Sequence, residues 1–357
     1  MIETRRPTAH LRTLIGLLLV LGIVESHSLF SQSLDIPSKK WGISFGNSKV
    51  FTGLRFNFRD SRVERVTGVN FTLWMPRKDN KEAVVTGLSL GLIPGGGEVR
   101  GIQLGVLGAS ADKNMTGINI GGLGVGAGEN LTGLNIGGIG IGAGESVKGI
   151  SFGGAGVGAG EDLVGIGIGG LGVGAGENAT GVCIGGLGVG AGTNFKGLAI
   201  GGLGVGCGED FTGIALGGLG VGCGENFTGI AIAGLGAGAG ERLTGLVVCG
   251  LAAGAPEARG LVVGGIGVGG ENLKGVFVGG AMIRVERGGR LTGLAVSSFN
   301  HIRGTLNGLS IGIVNYAWKL EKGVQIGVVN IVRDNPKGLR VLPVFNAGFD
   351  GGRGPGL

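Results

Sequence analysis

Seven glutamates recur on one period: Glu129, Glu145, Glu161, Glu177, Glu209, Glu225 and Glu241, with Thr193 filling the one gap at the same interval. Carboxylates gathered along one edge repel each other, and a hard cation with oxygen ligands, such as Ca²⁺, relieves that repulsion. The plainer reading of the row is a solvated turn that keeps an edge soluble. Four cysteines follow a looser pattern, Cys183, Cys207, Cys223 and Cys249. Only Cys207 and Cys223 occupy the same place in the period, one unit apart. If units stack as β coils, their Cα atoms lie about 4.8 Å apart, inside disulfide range, and an exported chain meets oxidising conditions. Otherwise they replace the small apolar Ala143 and Ala191 of the same column.

Other chemistry is sparse. After residue 33 the one histidine is His301, beside Arg303. There is no H-E-x-x-H and no C-x-x-C, and no G-x-S-x-G elbow is assigned. G-x-G-x-x-G matches are scattered by composition, whereas a dinucleotide site needs one match between a strand and a helix. Gly137-Gly138-Ile139-Gly140-Ile141 fits the first five positions of calcium-binding β-roll repeats, but the sixth, which should be Asp, is Gly142. Gly158, Gly174, Gly190, Gly206 and Gly222 fail in the same way. Asn70, Asn114, Asn130, Asn178 and Asn226 stand in N-x-T sequences and read as turn caps. No catalytic residue and no cofactor is assigned, and the chain is read as a non-enzyme.

What positions these residues is a 16-residue repeat. Thr132-Gly133 is followed by Lys148-Gly149, Val164-Gly165, Thr180-Gly181, Lys196-Gly197, Thr212-Gly213, Thr228-Gly229 and Thr244-Gly245. Degraded copies run from Thr52-Gly53 to Lys337-Gly338, so about 20 units cover nearly all of the chain after the leader. Apolar columns begin at Leu134, Ile136, Ile139 and Ile141, and spacing by two is a strand signature. The Gly-Gly pair between Ile136 and Ile139 shifts the alternation, so a corner there is expected to keep all four columns facing inward, with Gly facing outward. The G-E-N, G-E-D and G-E-S triplets supply a second corner. Helix is excluded, because each unit carries six or seven glycines at about 1 kcal/mol each.

The expected fold is all-β, a repeat β-solenoid with 16-residue coils and irregular end units as caps. The alternative is an outer-membrane meander β-barrel of about 20 strands. In that alternative the alternating segment Leu339 to Phe349 resembles a terminal assembly strand, and Phe195, Phe211 and Phe227 form part of an aromatic girdle. One Tyr and three Trp are few for a girdle, the Glu corner recurs every 16 residues rather than every 32, and the opposite face is Gly rather than polar. All three favour the solenoid.

The N-terminus reads as a signal peptide, residues 1–33. Arg5, Arg6 and Arg12 precede an apolar run from Leu14 to Val24, and Ser31-Gln32-Ser33 suits cleavage before Leu34. The remaining organisation is 34–100 as irregular N-terminal β units or a cap, 101–258 as the regular array, 259–349 as irregular C-terminal repeats and cap, and 350–357 as a flexible tail. The formal net charge is +6, yet from Gly117 to Pro256 nine acids against three bases leave −6. The bases are not gathered with aromatics, so nucleic acid is not an expected partner.

The phrases Gly308-Leu309-Ser310-Ile311-Gly312-Ile313-Val314-Asn315-Tyr316 and Gly323-Val324-Gln325-Ile326-Gly327-Val328-Val329-Asn330-Ile331 resemble the glycine-rich surface-repeat proteins of Gram-negative bacteria. The resemblance covers two or three units well and implies export and a place in the cell envelope, with no activity or site residue to carry over. The function expected is therefore that of a structural or adhesive envelope protein at the surface, outer membrane or periplasm, whose partners are other envelope components. A pore, with membrane contact, is the alternative if the barrel forms; a cation-binding surface protein is the alternative if the acidic edge is a site.

Overall fold

The computed structural model describes residues 33–349. Residues 1–32 of the expected signal peptide, and the tail 350–357, lie outside the described residues.

Each regular coil holds one strand of seven residues and one of four, for example Leu131–Gly137 and Gly140–Ala143. Each strand pairs in parallel with its equivalent one coil on. Leu131 lies opposite Val147, Gly133 opposite Gly149, Asn135 opposite Ser151, and Ile141 opposite Val157. Parallel pairing between equal positions is the pattern of a solenoid. A meander barrel needs antiparallel neighbours joined by hairpins, so that alternative is overturned. The 34–100 block belongs to the same stack: Trp41–Phe45 pairs in parallel with Val50–Arg59, which pairs with Arg65–Trp74. At both ends an antiparallel strand closes the exposed edge: Leu34–Pro37 against Trp41–Phe45, and Val341–Ala347 against Val324 to Ile331. Covered edges do not recruit further strands.

The C-terminal closure corrects two expectations. Lys337-Gly338 does not open a coil; Pro336 precedes a 3-10 turn over Lys337–Leu339. The stretch taken for a barrel's terminal strand turns back to cap the rod.

The Thr-Gly mark of the repeat is a backbone requirement. From Gly53 to Gly323 the second residue of the mark has a positive φ, for example +116° at Gly133 and +121° at Gly181. A Cβ at Gly181 would run into the carbonyl oxygen of Gly165 one coil earlier. Only glycine takes that φ without strain and permits that approach.

The core differs from the expectation. Leu131, Asn135 and Ile141 are buried, with Ala143 partly so, whereas Ile136 is 37% and Ile139 57% exposed. The corner takes two residues, Gly138 and Ile139, between the strands Leu131–Gly137 and Gly140–Ala143, so the parity of inward positions is preserved rather than shifted. Odd positions point inward on both strands, and the Leu134 and Ile136 columns consequently face out. Of the four apolar columns, one, that of Ile141, is core. The others that build the core are the columns of Leu131 and Asn135, whose sizes trade off: Phe195, Phe211 and Phe227 face Ala199, Ala215 and Ala231, while Leu163 faces Gly167. The three phenylalanines stack inside the rod with ring centroids 4.9 Å apart, so they form no girdle.

Candidate functional site

The solenoid turns every sequence column into a ladder. The Glu row lies at one outer corner, held by backbone hydrogen bonds in which each N–H donates to the preceding carbonyl, as Glu145 to Glu129 at 2.9 Å and Glu241 to Glu225 at 2.8 Å. The neighbouring column is an amide ladder: Asn130 Nδ2 donates to Asn114 Oδ1 at 3.0 Å, Asn194 to Asn178 at 3.1 Å, Asn226 to Asp210 at 2.9 Å. Asn114 and Asn130 also donate to Glu129 and Glu145, both at 3.1 Å. Stacking raises the pKa of Glu225, through the desolvation of a crowded corner and then the charges of Glu241 and Glu209. Among the described residues no three or more His, Cys, Asp or Glu side chains gather in metal-binding reach. The fold therefore brings Glu129, Glu145, Glu161, Glu177, Glu209, Glu225 and Glu241 into one row, spread along the rod rather than converging.

Asn114, Asn130, Asn178 and Asn226 sit at this corner. Asn70 does not. It is buried in the N-terminal coils, accepting from Arg55 Nη1 at 2.8 Å, and Arg55 also donates to Asp60 at 2.7 Å. In Arg55-Phe56-Asn57-Phe58-Arg59 the arginine and Asn57 reach this internal network while Phe58 faces solvent. The core column that is Ala or Cys mid-rod is polar at both ends, running Arg55, Asn70, Ser89, Gln103 and Asn119 at one and Ser310, Gln325 at the other.

This inward column also settles a signal that sequence reasoning passed over. G-x-S-x-G occurs at Gly42 to Gly46, Gly87 to Gly91, Gly149 to Gly153 and Gly308 to Gly312. Ser44, Ser89, Ser151 and Ser310 are all buried in strands, where a nucleophile elbow would expose its Oγ. Asn300, Asn315 and Asn330 form a second internal amide ladder, each link 2.8 Å, and Asn315 also donates to the Ile326 carbonyl at 2.9 Å. The V-N of the C-terminal phrases is thus a corner device of the fold.

Cys207 and Cys223 are in register on adjacent coils, free and half-buried. In-register parallel strands point their Cβ atoms the same way, leaving them about 4.8 Å apart, just beyond the usual 3.5–4.5 Å of a disulfide. The two neighbouring thiols act on each other, which lowers the pKa of Cys223 and raises that of Cys207. Cys183, by contrast, is pushed up to about 12 by burial. His301 stacks on Phe299 at 5.2 Å and meets the edge of Tyr316; burial and then Arg303 and Arg284 lower its pKa.

The largest surface feature is apolar. Outside the long strand run the Thr132, Leu134 and Ile136 columns, with Lys148 and Lys196 interrupting the Thr ladder. At the corner stands a ridge: Leu123 53%, Ile139 57%, Leu171 57%, Leu187 50%, Leu203 50% and Leu219 49% exposed. Beyond the ridge the short strand presents glycine alone, in the columns of Gly140 and Gly142. At the C-terminal end these same columns carry Met282 and Phe299, and Arg284 and His301.

Compared with known protein families, with curated proteins and with solved structures, the chain gives no match.

Proposed function

We propose that this chain is an exported, non-catalytic structural or adhesive protein of a Gram-negative cell envelope, a rigid β rod that associates through its outer aliphatic ladders. The observation that carries this reading is the row of half-exposed Leu and Ile along the rod. Ten coils at about 4.8 Å each give a strip about 50 Å long. With a width of about 15 Å it covers on the order of 750 Å², above the about 300–600 Å² of the largest apolar patch on a typical monomer. Evaporating this surface from water on contact is favourable at roughly 25 cal/mol per Å². The leader-like N-terminus and the resemblance of the C-terminal phrases support the envelope location.

The test is protease shaving of intact producing cells, with mass mapping of the released peptides. Solenoid peptides released from whole cells support the reading. Recovery of the full chain, leader attached, in the soluble cytoplasm alone would sink it.

A further inference from the structure

We infer that the aliphatic ridge and the glycine trough beside it are two halves of one self-complementary surface, through which the rod pairs side by side with a second copy of this chain. The inference rests on reading the aliphatic ladders as a docking face, and it does not depend on export.

The geometry is a ridge next to a trough of equal length. Leu171, Leu187, Leu203 and Leu219 stand about half exposed along the corner. Next to them the short strands Gly172–Ala175, Gly188–Ala191 and Gly204–Cys207 turn only glycine outward. A two-fold axis parallel to the rod, set between ridge and trough, lays each ridge in the other copy's trough. That is an isologous contact, closed at two copies. Both surfaces repeat once per coil, about 4.8 Å, so a fit at one coil recurs along the rod, with one gap where the ridge column holds Ala155. A partner of another period loses step within a few coils. From Ile139 to Gly142 ridge and trough span about three residues, roughly 10 Å at about 3.3 Å per residue, so over about 50 Å of rod they offer on the order of 500 Å² per copy, about the 1,000 Å² in total that a specific interface must clear.

In the Gly142 column, one of the two that make the trough, the glycines are not needed by the rod itself, whereas in the Gly140 column a Cβ would come as near as 3.0 Å to the next coil's carbonyl oxygen, as at Gly156. Between Gly126 and Gly222 a Cβ on the Gly142 column meets nothing nearer than 3.7 Å, and at Gly158 nothing within 4 Å. Further along, the fold carries Arg284 and His301 in that very column. Glycine weakens a strand, and where it persists without an internal reason it marks close approach by another backbone or ligand. The outward face of the trough is also uncharged across the regular coils, so nothing on it repels an apolar ridge.

The experiment is sedimentation velocity of the purified full chain across a micromolar concentration series. It compares wild type with Gly158→Leu/Gly190→Leu, which fills the trough, and Leu187→Asp/Leu203→Asp, which charges the ridge. The expected result is a dimer for wild type and a dissociation constant raised about tenfold or more per site in either variant, with far-UV circular dichroism unchanged. The ridge variant alters only half-exposed side chains, so the test survives if the trough variant folds poorly. A wild-type chain that stays monomeric across the series overturns the inference, as does a dimer indifferent to both variants. A monomer that floats with neutral phosphatidylcholine vesicles also overturns it, and assigns the strip to lipid. A chain found in the cytoplasm but dimeric would overturn the envelope reading alone; a surface-exposed monomer would overturn the pairing alone.

Discussion

Two glycines of one coil should respond in opposite ways to the same added methyl group. Gly181 has φ +121°, and its Cβ would strike the Gly165 carbonyl oxygen; Gly190 has ordinary strand geometry, and its Cβ would sit 3.9 Å from the Gly206 carbonyl oxygen. Gly181→Ala must hold a strained φ, costing about 1–3 kcal/mol. It must also push apart two hydrogen-bonded coils, an overpacking cost of about 1–3 kcal/mol. Gly190→Ala fits its site and reduces the freedom of the unfolded chain, a gain of about 0.4–1 kcal/mol. The two variants should therefore differ by about 2–7 kcal/mol, although each adds one carbon to the same coil. Stacked repeats need not unfold in one step, so a single denaturation midpoint is insufficient. Hydrogen exchange of residues 179–191, followed by mass spectrometry at low protein concentration, reads the coil directly. Faster exchange in Gly181→Ala and unchanged or slower exchange in Gly190→Ala is expected. Equal effects, or a tolerated Gly181→Ala, would show that the Thr-Gly mark is not a conformational demand and that the close approach of Gly181 to the Gly165 carbonyl is wrong.

Phe211→Ala should cost about 3–5 kcal/mol, because Phe211 is buried between Phe195 and Phe227, whereas Leu187→Ala on the outside should cost well under half as much; hydrogen exchange of the two coils compares them. Removing one partner of the buried Arg55–Asp60 pair, as in Asp60→Ala, should destabilise the N-terminal coils by about 3–5 kcal/mol, visible as local exchange with the distant coils unaffected. Iodoacetamide should modify Cys223 ahead of Cys183, since the neighbouring Cys207 thiol lowers the pKa of Cys223 and burial lifts that of Cys183 to about 12; a mass-mapped time course with the order reversed would contradict this placement of the thiols. At the acidic corner a carboxyl whose folded pKa is raised binds more protons folded than unfolded. Glu225 therefore adds stability as pH falls through its folded pKa, and that contribution is lost as pH rises above it. Glu225→Gln should thus flatten the rise in melting temperature between neutral pH and about pH 5 at low salt, and high salt should erase the difference.

Much of the architecture was legible because a strict period leaves few options. Sixteen-residue spacing, Gly content too high for a helix, and one acidic corner per unit point to stacked coils, and each has a local physical cause. The row of Glu129 to Glu241 and the register of Cys207 with Cys223 follow from the period alone. The outward face was not legible in this way. Leu134 and Ile136 read as core because they are aliphatic and alternate, while Phe195 and Asn135, which are core, read as turn and polar filler. The deciding fact is how many residues the Gly-Gly corner consumes, and alternation within either strand does not contain it. The Arg55 to Phe58 segment inverts the usual rule for the same reason: its partners, Asp60 and Asn70, close around the arginine only once the coils stack.

By itself, the sequence determined the repeat, the strand class and which residues share a ladder, since in-register stacking needs only an equal interval. The tertiary structure alone decided which ladders turn inward. Side-chain parity across a corner is set by backbone geometry closing on itself over a whole coil, and that closure places an aliphatic ridge and a bare glycine trough on the outside of the rod.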